Sequence, residues 1–116
     1  MVEHPRASGD ASIHLDAAYA ALSSDVRRAI VRRLVERDRR VTDLAQPFDM
    51  SLQAISKHIR VLESAGLVKR RVDGRTHWLS LNPGPLAAAE LWIQRARTFW
   101  ERRLDALEDV LAEDQA

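Results

Sequence analysis

The stretch from Ser51 to Gly66 constrains this chain more than any other, because it carries its own start signal, its own stop signal and a two-sided pattern. On a 3.6-residue period Leu52, Ile55, Ile59 and Leu62 form one stripe, and Gln53, Ser56, Lys57, Arg60 and Ser64 form the opposite one. Ser51 offers a hydroxyl that can accept from an early backbone N–H, and Gly66 tolerates the positive φ at which helices commonly end. The pattern predicts a capped helix that packs on one side and is open on the other. The open side presents short hydroxyl and amide groups first and then Lys57, His58 and Arg60, a set suited to base edges and phosphates.

The surrounding chain bounds what this helix can belong to. With 116 residues, 46% of them apolar, it fits one domain with a thin core. It has no cysteine, which excludes disulfides, thiol switches and thiolate metal sites. It has no run of 18 apolar residues and no signal-peptide pattern, so the expectation is a cytoplasmic, nucleoid-associated protein with no membrane partner. The net charge of +1 conceals a polarised distribution. From Ser51 to His77 six basic residues face two acidic ones, whereas from Leu86 to Ala116 four arginines face seven acidic residues. A polyanion is therefore favoured at the middle of the sequence and disfavoured at the tail.

Residues 1–12 lack periodicity and read as a flexible leader; residues 13–116 read as the folded domain. Leu15, Ala18, Tyr19 and Leu22 have helical spacing. Ser24 caps a second helix from Asp25 to about Glu36, with Val26, Ile30 and Leu34 inward and Arg27, Arg28, Arg32 and Arg33 outward, followed by a polar turn over Arg37–Arg40. A short helix over Val41–Gln46, with Thr42 available as its cap, and a turn over Pro47–Met50 lead into Ser51. A supporting helix followed by two helices joined by a tight turn is the helix-turn-helix arrangement.

Beyond Gly66, two strand-like runs, Leu67–Val72 and Arg75–Leu81, flank the turn signal Asp73-Gly74. Arg70, Arg71, Arg75 and His77 surround that turn and make a basic wing, suited to phosphates or a minor groove. Trp78 breaks the alternation of the second run, which predicts a bulge or a partly exposed indole. Asn82–Pro85 interrupts the chain. A long helix is predicted from there, about residues 85–113, with Trp92, Ile93, Phe99, Trp100, Leu104 and Leu107 on a wide apolar stripe. Together with Leu15 and Tyr19 of the first helix, this stripe is expected to bury a second subunit.

With these elements in place, Leu22–Leu81 resembles the ArsR family of bacterial winged-helix repressors. The resemblance rests on Leu22–Ile30, Val41–Ala45, Ser51–Leu62, Ala65–Val68 and the wing at Gly74-Arg75, about half of the chain. It implies a mainly α fold with a small β-hairpin, a homodimer built on the first and last helices, and the helix at Ser51 in the major groove. The tail from Leu91 to Leu104 looks like a subgroup often encoded beside small START-like proteins. Many members of the family sense metals through cysteines on the short helix or through His and carboxylates on the last. Here the short helix offers only Asp43 and the last helix has no histidine, while His4, His14, His58 and His77 have no paired ligand spacing.

The expectation is a sequence-specific regulator, a homodimeric and autoregulatory repressor of an inverted-repeat operator in double-stranded DNA, with no catalytic residue, metal or cofactor. Gln53, Ser56 and Lys57 are the candidates for base edges, and Arg60 and His58 for bases or phosphates. Ser51 caps at the same surface, and Arg70, Arg71, Arg75 and His77 are the candidates for the backbone or minor groove. Two other readings stay open: a winged-helix module that binds a protein, and a metal- or ligand-responsive sensor. An enzyme finds no support in any nucleophile–base spacing or phosphate loop. Neither an operator sequence nor an effector can be read from the residues.

Overall fold

The computed structural model describes residues 15–115. The leader expected over 1–12 lies outside the described residues, as do His4 and His14. The elements in chain order are α1 (15–21), α2 (Asp25–Glu36), β1 (Arg39–Arg40), α3 (Val41–Ala45), α4 (Leu52–Ser64), β2 (Val68–Asp73), β3 (Thr76–Leu81) and α5 (Pro83–Gln115). The result is a mainly helical winged helix-turn-helix with a three-stranded antiparallel sheet in the order β1-β3-β2.

Most helix ends follow the local chemistry. The Ser24 hydroxyl accepts from the Arg27 backbone N–H at 3.3 Å, and the Ser51 hydroxyl accepts from the Ala54 N–H at 3.1 Å. At the far end of α4, Gly66 adopts φ 75°. Its N–H reaches the Glu63 carbonyl at 2.9 Å and the Leu67 N–H reaches the Leu62 carbonyl at 3.0 Å, the two bonds of a Schellman close. Two ends depart from expectation. Thr42 does not cap α3, because the N-cap position falls two residues earlier, at Arg40, and has no side-chain cap. The long helix starts at Pro83 rather than about residue 85, since a proline in the first turn gives up an N–H that has no intrahelical partner anyway.

The core is the meeting point of α2, α3, α4 and the sheet. Ile30, Leu44, Ile55, Ile59, Leu62, Leu67 and Leu79 are its largest fully buried side chains, each worth about 1.5–3 kcal/mol by burial. Ala18 and Ala21 bring α1 into the same cluster. Leu52, expected on the packed stripe, is 51% exposed, because the stripe runs past the edge of the core in the first turn of α4.

Three arginines also sit differently from expectation, Arg27 and Arg33 from the outward face of the second helix and Arg39 from the polar turn after it. The Arg27 guanidinium donates to the carbonyls of Ala21 at 2.6 Å and Ala20 at 3.3 Å, closing the end of α1. Arg33 donates to the carbonyls of Asp43 and Leu44, binding α2 to α3. Arg39 is buried, donating to the Arg33 carbonyl at 3.2 Å and pairing with Glu36 at 2.7 Å. The predicted polar turn there is therefore partly a strand: Arg39 and Arg40 pair with Leu79 and Trp78 of β3. Arginine can do this because its stem packs while its fork satisfies several carbonyls at once.

The hairpin pairs in regular register from Val68↔Leu81 to Asp73↔Thr76, so its two-residue turn is Gly74-Arg75, one position later than the Asp73-Gly74 signal. Gly74 has φ 62° at the first central position, as a type II′ turn requires. The register leaves no bulge at Trp78; the indole is half-buried, with the Arg71 guanidinium 5.8 Å from its ring centre. Beyond the sheet α5 runs 33 residues, roughly 50 Å, and of these only Ala89 is buried. The radius of gyration, 20.0 Å, exceeds the about 13 Å of a compact chain of this size because that helix projects.

Candidate nucleic-acid interface

Ile55, Ile59 and Leu62 anchor α4 in the core, so its opposite face has to look outward. On that face Gln53, Lys57 and Arg60 are exposed and Ser56 is half-buried. Neither Lys57 nor Arg60 has a carboxylate partner among the described residues, so both keep their donors available. Ser51 is exposed but spends its acceptor on the helix start. His58 stands apart: half-buried at the side of the helix, it accepts on Nδ1 from the Arg27 guanidinium at 3.1 Å. Because a guanidinium can only donate, a neutral His58 ring carries its own proton on Nε2.

The hairpin adds a second basic surface through Lys69, Arg71, Arg75 and His77, all exposed, and through Arg70, whose side chain is about three-quarters covered. Lys69, not expected as a site residue, lies two positions from Arg71 on the same face of β2. The arginines differ in freedom. Arg70 reaches Glu63 of α4 with two bonds, at 2.7 and 3.2 Å, and donates to His77 Nδ1 at 3.1 Å. The hydrogen bond it donates to Glu63 raises the Arg70 pKa above its ordinary value, partly offset by desolvation. Arg75, at the turn, has no ion pair among the described residues.

A third basic group was missed from sequence. Arg40, read as part of a turn, is carried by β1 to the neighbourhood of the wing, where it and Thr42 line a cleft with Arg70, Arg75, Thr76 and His77. The visible signal was the Arg40/Asp43 spacing, and it gives a two-armed ion pair at 2.9 and 3.1 Å. That hydrogen bond holds the Asp43 carboxyl below the usual carboxylate range. The contact with the wing depends on sheet pairing and left no local trace.

A family model for a helix-turn-helix domain matches residues 22–71, which span α2 through most of β2. The HTH-type transcriptional regulator Rv2034 of Mycobacterium tuberculosis is 39% identical over 89 residues, 77% of this chain and 80% of that protein. The crystal structure of the ArsR family transcriptional regulator RHA00566 superposes with a TM-score of 0.72 at 32% identity, covering 87% of this chain and 97% of that one. The chain belongs to the ArsR family. An ArsR-like regulator from Rhodococcus sp. RHA1 is similar as well, with a TM-score of 0.75, 30% identity and coverage of 85% and 93%.

This ArsR-family chain is a transcriptional regulator with a DNA-binding helix-turn-helix domain, in which α3 and α4 are the paired helices and β2-β3 the wing. Among the described residues, no helix is long and apolar enough to cross a membrane. The acidic side chains of α5 lie on the long last helix, after the basic stretch of α4 and the hairpin in sequence.

Proposed function

We propose that this ArsR-family regulator is a homodimeric repressor that reads an inverted-repeat operator, with α4 in the major groove and the hairpin on the flanking backbone. The observation that carries the reading is the outer face of α4. Gln53 can pair with an adenine edge and Lys57 with a guanine, with Ser56 beside them and Arg60 and His58 able to serve bases or phosphates. Arg71, Arg75, His77 and Arg70 supply backbone contacts, which position the helix without reading sequence.

Dimerisation is supported by the apolar face of α5. Trp92, Ile93, Phe99, Trp100, Leu104 and Leu107 are each half or more exposed, a large unpartnered apolar stripe for one chain. On α1, Tyr19 meets Trp92 edge-to-face with ring centres 6.4 Å apart, and half-buried Leu15 lies one turn away, so α1 and α5 offer a continuous surface to a second copy. One α4 reads only a few base pairs, and a second copy at fixed spacing gives the selectivity a genome demands. Repression then follows from occupancy of a promoter, with autoregulation as its simplest circuit.

Footprinting on the chain's own upstream region tests this. Protection of two half-sites whose centres lie about 34–36 Å apart, or a multiple of that, is the expected result. Equal affinity for random and selected duplexes at moderate salt would refute it.

A further inference from the structure

Between the first turn of α3 and the start of β3 lies an open cleft of about 290 Å³, with Arg40 and Thr42 on one side and Arg70, Arg75, Thr76 and His77 on the other. We propose that it seats one phosphate of the DNA backbone, beside the groove that α4 reads. The proposal rests on the DNA-binding reading above and adds to it a specific ligand group and three residues, Arg40, Thr42 and Thr76, outside the expected contact set.

The lining carries the argument. Three guanidiniums, an imidazole and two hydroxyls converge on the cleft, and no carboxylate lines it among the described residues. The carboxylates that hold two of those guanidiniums approach from outside it: Asp43 orients Arg40, and Glu63 orients Arg70. The Arg70 fork, in the more covered of the two pairs, is thereby held in place before any ligand arrives, which lowers the entropy lost on binding an oxyanion. His77 accepts from Arg70 on Nδ1, so its ring N–H lies on Nε2 as a further donor. Arg75 has no ion pair to give up among the described residues.

Polarity narrows the ligand. The cleft lies at the lower edge of the about 300–1,000 Å³ of typical small-molecule pockets, and Val41 is the one apolar side chain lining it among the described residues. An apolar effector finds little to bury there, whereas a phosphate finds charge-assisted donors on both walls. One wall belongs to the helix-turn-helix and the other to the wing. A phosphate held between them would fix the angle of the hairpin relative to α4, and with it the register of the whole domain on the duplex.

The test is a neutral-phosphate scan of the footprinted operator, in which each backbone phosphate is replaced singly by methylphosphonate. Binding is measured for wild type, Arg75→Gln and Thr76→Val, with thermal melts confirming that each variant folds. One phosphate per half-site should stand out, its neutralisation weakening wild type about tenfold or more while changing Arg75→Gln little. Arg75→Gln should also lower the salt slope by about 0.9 per protomer.

A flat scan, or the same loss in Arg75→Gln as in wild type, overturns the proposal. If sequence preference survives with a flat scan, the cleft assignment alone has failed; if wild type prefers no duplex, the DNA reading has failed with it. Inorganic phosphate titrated onto the DNA-free protein separates the other source of the same chemistry. Saturable binding off DNA together with a flat scan would give the cleft to a free phosphorylated ligand and overturn the backbone assignment.

Discussion

Glu63 on the last turn of α4 holds Arg70 of β2 through two hydrogen bonds, at 2.7 and 3.2 Å, and so ties the outward helix directly to the wing. Both side chains are about three-quarters covered, which sets this pair apart from the exposed ion pairs of the chain. The Arg70 guanidinium, expected to contact the DNA backbone, is thus already engaged by a carboxylate, which makes a positioning role its expected first contribution.

The sign of one substitution follows. Removing a negative charge near a polyanion should tighten DNA binding if electrostatics alone decided it. Glu63→Gln is expected to weaken operator binding instead, by about 1 kcal/mol, because the wing loses its tether. Glu63→Gln and Arg70→Ala should then be less than additive in a double-mutant cycle. Tighter binding by Glu63→Gln in a gel-shift titration would show that the tether does not position the wing.

Base reading is expected to reside on α4 and affinity on the hairpin. Gln53→Ala and Lys57→Ala should relax preference at single operator positions, at about 1–3 kcal/mol for each lost bidentate contact. Arg75→Ala should weaken all sequences alike. Selection of preferred sites by each variant checks the division: a changed consensus with Arg75→Ala would place base reading in the wing as well.

The proposed dimer would be built on the exposed stripe of α5, where Trp100 is 61% exposed in the single chain. Trp100→Ala, or truncation before Leu91, should shift sedimentation from dimer to monomer at micromolar concentration and reduce operator affinity with it. A truncated chain that remains dimeric, or that binds the operator with full affinity as a monomer, would contradict the proposed interface.

Gly66 gives a stability prediction independent of function. Its φ of +75° is unfavourable for other residues, while an added Cβ would meet only Pro85 Cγ at 3.7 Å, an ordinary contact. Gly66→Ala should therefore cost about 1–2 kcal/mol through the backbone alone, and Gly66→Asn less. Denaturant midpoints at unchanged m-values measure this; a cost near zero for Ala would mean that the helix end relaxes.

The Arg40–Asp43 pair predicts a pH effect. Its hydrogen bond lowers the folded-state pKa of Asp43, so the unfolded chain binds the proton more readily. The stabilisation is present above the ordinary carboxylate value of about 3.9 and is lost as pH falls below it through the folded value. Asp43→Asn should accordingly lie slightly below wild type in stability at neutral pH, and the gap should close in acid. A gap that widens in acid would reverse the assigned sign.

The recognisable parts of this protein were those encoded within a few neighbouring residues. Ser24, Ser51 and Gly66 mark helix ends through bonds to backbone groups at most four residues away, and the 55, 59, 62 spacing selects the buried side of α4 without outside help. The basic character of the hairpin is likewise a run of adjacent letters. Tertiary structure decided what depended on partners far along the chain. Arg27, Arg33 and Arg39 look like surface charges in any local window, yet they turn inward because carbonyls at helix ends need donors. Arg40 joins the wing only because β1 pairs with β3, some forty residues away, and two residues are too short a strand for any alternation to register. Arg70 and His77 differ from Arg75 through the placement of Glu63, which no charge count reveals. A local pattern is set by the backbone period, whereas the freedom of a long charged side chain is set by whichever acceptor the fold brings within reach.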